Sequence, residues 1–189
     1  RQFHQIGVEA FGFSGPDIDA EQILMCARIW KELNLNDISL QINSLGTKKS
    51  RTDYIKILVD YFSSNKDKLD DDDLVRLEQN PLRILDSKNP EIKDLISESP
   101  TLDDHIDSDS ADHFHGVKEI LDSAEIKYKV NPRLVRGLDY YEKTVFEWIT
   151  TQLGSQGTVC AGGRYDSLVE QHDASPTPAI GFAMGLERL

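Results

Sequence analysis

The sequence predicts an α+β fold, a mainly antiparallel sheet with flanking helices, interrupted by a small helical insertion domain. Three observations predict it. Helix-like and strand-like segments are mixed without a βαβ rhythm. The middle of the chain turns polar, acidic and proline-punctuated, and strand-like segments lie on both sides of that block. With 39% hydrophobic and 29% charged residues over 189 positions, the chain has material for one good-sized domain carrying a smaller insertion, and disorder is not the default.

Taken in order, FHQIGVEAFGF is apolar and glycine-punctuated, which predicts a strand. GPDID supplies a proline and aspartate caps, and Ile23, Leu24, Ala27, Trp30 and Leu33 then recur at helical spacing. ISLQINSL alternates Ile38, Leu40 and Ile42 with polar partners, as a half-buried strand does. These residues, 1–43, form the first part of a core. After Gly46 the character changes. Tyr54, Ile55, Leu58, Val59 and Phe62 share one helical stripe, and Pro81, Pro90 and Pro100 break the rest of the block into short helices. The run Asp70–Asp73 predicts a solvated helix start at the positive end of the helix dipole. The block 44–117 is expected to hold a small core of its own.

Residues 118–189 complete the main core. Phe114, Val117, Leu121 and Ala124 form a further helical stripe leading into it, and KYKV is a strand. Thr144, Phe146 and Trp148 alternate against Val145, Glu147 and Ile149, predicting a strand with two unlike faces. TVCAGG is another strand, and AIGFAMGLERL runs as a small-residue strand into a starting helix.

Several function classes are excluded or disfavoured. No stretch approaches the ~20 apolar residues of a membrane span, and no basic head precedes a greasy run. The ends read as cuts through a longer protein. A net charge of −12 argues against general nucleic-acid binding while leaving room for one local RNA site. Cys26 and Cys160 lack ligand spacing and predict a reduced, cytoplasmic pair, with a disulfide as the lesser alternative. His113 and His115 diverge on a helix and predict solvent-exposed histidines, so no metal-ligating residue is assigned. A P-loop and a nucleophile context are both absent.

Four segments carry candidate chemistry. In RQFHQIGVE, Phe3, Gln5, Gly7 and Glu9 fall on one strand face, a row polar enough either to floor a pocket or to form a solvent-facing edge. In LVRGLDYY, Arg136, Asp139, Tyr140 and Tyr141 sit at the turn into a strand. The Gly-Gly of AGGRYD allows either a close approach or a tight turn. In GFAMGLERL, small residues keep one surface flat, while Arg188 in a first helical turn asks for a carboxylate partner or an anion.

Together, in this order, these segments resemble histidyl-tRNA synthetase, a class II aminoacyl-tRNA synthetase. RQFHQIGVE is similar to the second strand of motif 2, LVRGLDYY and AGGRYD to the histidine signatures, and AIGFAMGLERL to motif 3. NPLRILDSKNPEIKDL resembles the insertion domain of the bacterial enzymes. The resemblance implies activation of histidine by ATP, with Mg2+ arriving on the nucleotide, and transfer to tRNA(His) by a homodimer. It implies that Arg136 is catalytic at the α-phosphate. Gln5, Glu9, Arg136, Tyr140, Tyr141 and Tyr165 would bind histidine, and Phe3, Gln5, Gly185 and Arg188 would bind ATP. Motif 1, the first motif 2 strand and the anticodon-binding domain are expected outside this chain. The alternative is an inactive synthetase-like regulatory or sensor protein, and joint retention of Arg136, the tyrosine pair, Glu9 and Arg188 favours the enzyme.

Overall fold

A computed structural model describes residues 2–87, 89–154 and 157–189. Arg1 of the RQFHQIGVE stretch and Lys88 of the insertion segment lie outside the described residues. The chain opens with β1 (Gln5–Phe11), and Pro16 in the first turn, with Asp17 and Asp19, starts α1 (Pro16–Glu32). Next come β2 (Ile38–Ser44) and α2 (Lys48–Ser63), whose N-cap Thr47 accepts from the Ser50 amide. After α3 (Asp71–Gln79) the prolines act as starts: Pro81 and Pro90 each open a 3₁₀ turn. Then come α4 (Lys93–Glu98), α5 (Ser108–Ser123), β3 (Tyr128–Val130), β4 (Glu142–Thr150), β5 (Thr158–Arg164) and β6 (Ala179–Gly185). The expected final helix is one 3₁₀ turn over Leu186–Arg188.

The six strands form one sheet in the order β1-β6-β5-β4-β2-β3. Every pairing is antiparallel except β2 with β3, which makes the sheet mixed at that edge. The two faces differ in what covers them. On one, Leu40, Ile42, Phe146, Trp148, Cys160, Phe182 and Met184 pack beneath α1 and α5 in the main core. The stripe Phe114, Val117, Leu121 on α5 belongs to that core, so a boundary at 117 cuts through α5.

The insertion's core is shared with the chain beyond it. Tyr54, Leu58, Phe62, Leu82, Ile84 and Ile92 pack together with Leu134 and Val145, which come from the loop and strand beyond it. Its neck is closed by one carboxylate. Asp107 accepts from Ser50 Oγ at 2.7 Å and Thr47 Oγ1 at 2.9 Å while capping α5 through the Ser110 amide at 2.9 Å. The aspartate run also departs from a purely solvated start. Asp70 caps α3, but Asp73 is buried against Arg76 at 2.8 Å.

Candidate active site

On the other face of the sheet a cavity of about 1320 Å³ opens. Its floor is set by strand register. Gln5 pairs with Gly185, Gly7 with Ala183 and Glu9 with Gly181, so three small residues of β6 stand beside the polar row of β1. The next strand repeats the pattern, with Ala161 and Gly163 beside Ala183 and Gly181. The glycines are sterically required. A Cβ on Gly181 would lie 1.6 Å from Glu9 Oε2, and one on Gly163 would lie 3.0 Å from the Tyr141 ring. The Gly-Gly of AGGRYD therefore makes no turn; it lets side chains lie flat on the sheet. Phe3 precedes the strand and is 66% exposed.

The nine residues that the resemblance assigns to histidine and ATP line this cavity: Phe3, Gln5, Glu9, Arg136, Tyr140, Tyr141, Tyr165, Gly185 and Arg188; Asp139, from the same loop, lines a neighbouring cavity instead. Tyr140, Tyr141 and Tyr165 cluster with ring centroids 4.7, 5.8 and 6.4 Å apart. The Tyr165 hydroxyl donates to Glu9 Oε2, and burial together with that carboxylate pushes the phenol well above its usual range. Burial pushes Tyr141 up to about 12, with Tyr140 adding to it. Glu9 is not buried, as the row first suggests, but opens into the cavity. The reason is that β1 is the outermost strand of this sheet.

Arg136 has a partner that no local motif announces. Its Nη1 donates to Glu147, and its guanidinium lies 5.7 Å from the Tyr141 ring centroid. Strand alternation sets Glu147 on the face opposite Phe146 and Trp148, and that is the one sequence signal for it. Burial raises the Glu147 carboxyl although Arg136 works against it. Arg188 meets no carboxylate among the described residues. Its Nε donates to the Thr158 carbonyl at 2.6 Å, while neighbouring Glu187 takes His4 Nδ1 at 2.7 Å.

The expectation of two solvent-exposed histidines is corrected for His113. It is 7% exposed, with Nε2 2.8 Å from Asp19 Oδ2. Asp19 also receives Nε of Arg164 at 3.1 Å. Arg164 has no exposed surface and ties down the Phe13 and Gly15 carbonyls, each at 3.0 Å. Burial opposes charge on Asp19, but hydrogen bonds from His113 and Arg164 hold its carboxyl below the usual range. This buried trio holds the end of β5 from beneath, one residue before Tyr165. In the sequence Asp19 reads only as a helix cap. Cys26 and Cys160 meet with Sγ atoms 3.8 Å apart and are unbonded.

The family described as histidyl-tRNA synthetase matches residues 1–189. The chain belongs to the histidyl-tRNA synthetase family. It is 60% identical over 189 residues to a histidine–tRNA ligase of Aromatoleum aromaticum, covering all of this chain and 43% of that relative. A crystal structure of apo S. aureus histidyl-tRNA synthetase superposes with a TM-score of 0.77 at 37% identity, over 100% of this chain and 46% of the other. The chain thus spans less than half the length of these synthetases. A Bacillus halodurans structure described as an ATP phosphoribosyltransferase regulatory subunit/histidyl-tRNA synthetase matches with a TM-score of 0.64 at 22% identity, over 98% of this chain and 52% of that one. That likeness concerns the fold alone.

Proposed function

We propose that this chain supplies the larger part of a site where histidine is activated by ATP, as a histidine–tRNA ligase, before transfer to tRNA(His). The observation that carries the reading is the meeting in one cavity of Glu9, held by the Tyr165 hydroxyl, and the Arg136 guanidinium beside Tyr141. A carboxylate facing an aromatic pocket suits an imidazole N–H, and a rigid guanidinium suits phosphate oxygens.

In this reading the histidine carboxylate attacks the α-phosphorus, the bond to the bridging oxygen breaks and diphosphate leaves. Arg136 offsets the charge that builds on the nonbridging oxygens, which makes it the catalytic residue. Glu9 accepts from the imidazole, Tyr140, Tyr141 and Tyr165 enclose the ring, and Gln5 reaches the α-amino or adenylate end. Phe3 stacks on adenine from one side. Arg188 covers the other side above the Gly185 end of the shelf and faces the γ-phosphate. Mg2+ comes with the nucleotide; among the described residues no three His, Cys, Asp or Glu side chains are grouped to hold a metal. A homodimer in the cytoplasm is the expected setting, consistent with two adjacent free thiols. No helix among the described residues is long and apolar enough to cross a membrane.

The test is ATP–diphosphate exchange by the full-length protein. Exchange that depends on histidine, and not on glutamine or leucine, is the expected result. Absence of histidine-dependent exchange in a folded protein returns the chain to the regulatory alternative.

A further inference from the structure

The loop that carries Arg136, Tyr140 and Tyr141 runs from β3 to β4 without joining the sheet. Its carbonyl groups must therefore find donors elsewhere. Three of them, at alternate positions, find those donors in the insertion. Arg83 Nη1 reaches the Gly137 carbonyl at 3.4 Å, Arg51 Nη2 donates to the Asp139 carbonyl at 2.9 Å, and Arg51 Nη1 donates to the Tyr141 carbonyl. Asn80 Nδ2 adds a contact to Asp139 Oδ1 at 3.2 Å. From the apolar side, Leu134 is buried in the insertion's core and Val135 and Tyr141 pack against it.

We infer that Arg51 on α2 is a positioning residue for this loop, so that the insertion sets the geometry of the histidine and phosphate pocket. Arg51 is 8% exposed and lies behind the loop, outside the cavity that Arg136 lines. Its planar fork bridges two carbonyls that flank Tyr140, which constrains the backbone torsions between them. Removing the fork leaves both carbonyls without a donor and frees the chain at the tyrosine pair. Burial disfavours the charge on Arg51, and the Glu142 and Asp139 carboxylates counter that. A lysine could satisfy one carbonyl but not hold the pair in a fixed relation. The inference rests on the histidine-activating reading for its kinetic arm, but not for its structural arm.

The experiment uses the full-length protein with Arg51→Met, Arg51→Lys and, as a control on the same helix, Lys56→Ala, whose ammonium is exposed and pairs with Asp53 at 2.9 Å. Histidine-dependent exchange is measured per folded molecule, well below each melting temperature, with amide hydrogen exchange over residues 131–142. Arg51→Met is expected to lower kcat at least tenfold and raise the histidine KM severalfold, with the ATP KM within twofold. Arg51→Lys should recover part of that loss, and Lys56→Ala should match wild type. Amides at 136–142 should exchange faster in Arg51→Met while those of β1 and β6 stay protected. Should Arg51→Met fail to fold, Arg51→Lys and Asn80→Ala carry the same comparison with smaller expected changes. Unchanged protection of the loop, or lowered melting with wild-type kinetics per folded molecule, overturns the inference. A wild-type protein without histidine-dependent exchange overturns the functional reading instead, and the hydrogen exchange still decides on Arg51.

Discussion

On the sheet side of the cavity, Gln5, Gly7 and Glu9 stand in ladder register with Gly185, Ala183 and Gly181. On the loop side, Arg136 and Tyr140 belong to no ladder, and their segment is held by side chains of Arg51, Asn80 and Arg83 and by a shared apolar core. The sheet wall is placed by backbone pairing between strands, and each of its residues depends on its neighbours across the sheet. The loop wall depends on a block of chain that enters earlier, between β2 and β3. A defect in the insertion should therefore be felt through Arg136 and the Tyr140–Tyr141 pair, and a defect in β1 or β6 through Glu9 and the adenine shelf.

The largest expected effect comes from deleting residues 48–104 with a short linker. An insertion 44–117 that touched only tRNA would leave adenylate formation intact when removed, because the candidate site residues lie outside it. The shared core predicts the opposite, since deletion exposes Leu134 and Val145, now 6% and 0% exposed. Histidine-dependent exchange should fall below detection even in a deletion variant that still melts cooperatively. Full exchange activity in such a variant would mean that the loop holds itself.

Next in size is Arg136. Its proposed effect belongs to the transition state, so Arg136→Lys and Arg136→His should lower kcat for adenylate formation by about 10²-fold or more while both KM values change far less. The histidine variant should be the worse at neutral pH, having lost most of its charge. Transfer from preformed adenylate to tRNA should suffer less. Single-turnover rates for the two steps, beside melting curves, separate this from a fold-supporting role.

On the sheet wall the effect should be smaller and of another kind. Glu9→Gln is expected to raise the histidine KM, leaving the ATP KM nearly unchanged. A hydrogen bond to a charged group contributes about 1.5–3 kcal/mol, or roughly ten- to a hundredfold in binding. Because Glu9 opens to the cavity, the lower end applies. Equal changes in both KM values would remove Glu9 from the imidazole end.

The smallest effect tests the neck of the insertion. Burial works against charge on Asp107, yet hydrogen bonds from Ser50, the Ser110 amide and Thr47 outweigh it and hold the carboxyl below its ordinary 3.8. A carboxyl lowered in the folded state contributes fully above the unfolded value and loses that contribution as pH falls through the folded one. Asp107→Ala should cost about 1 kcal/mol near pH 7, on the scale of a lost helix cap. Melting curves of the two proteins should converge only below about pH 4. A gap that closes between pH 8 and 6 would assign the effect to another group.

Much of the sheet wall was legible in the residues. Period-two alternation put Gln5, Gly7 and Glu9 on one face and set Glu147 apart from Phe146 and Trp148, because adjacent side chains of a strand must point oppositely. The small residues of GFAMG foretold a flat surface for the same reason. His113 was not legible, because its partner Asp19 lies 94 positions away. The HFH triplet carries no trace of that contact, and a histidine without a visible partner reads as a surface one.

The sequence by itself therefore determined the elements, their buried faces, the family and the roster of cavity residues, since each depends on short-range periodicity or on a local motif. Only the tertiary structure decided which buried charges meet, that the insertion's core is shared with the 131–141 loop, and that Arg51 grips the carbonyls beside Tyr140. Those contacts join positions about ninety residues apart through backbone atoms, and a carbonyl oxygen is the same in every residue, so no side-chain pattern announces it.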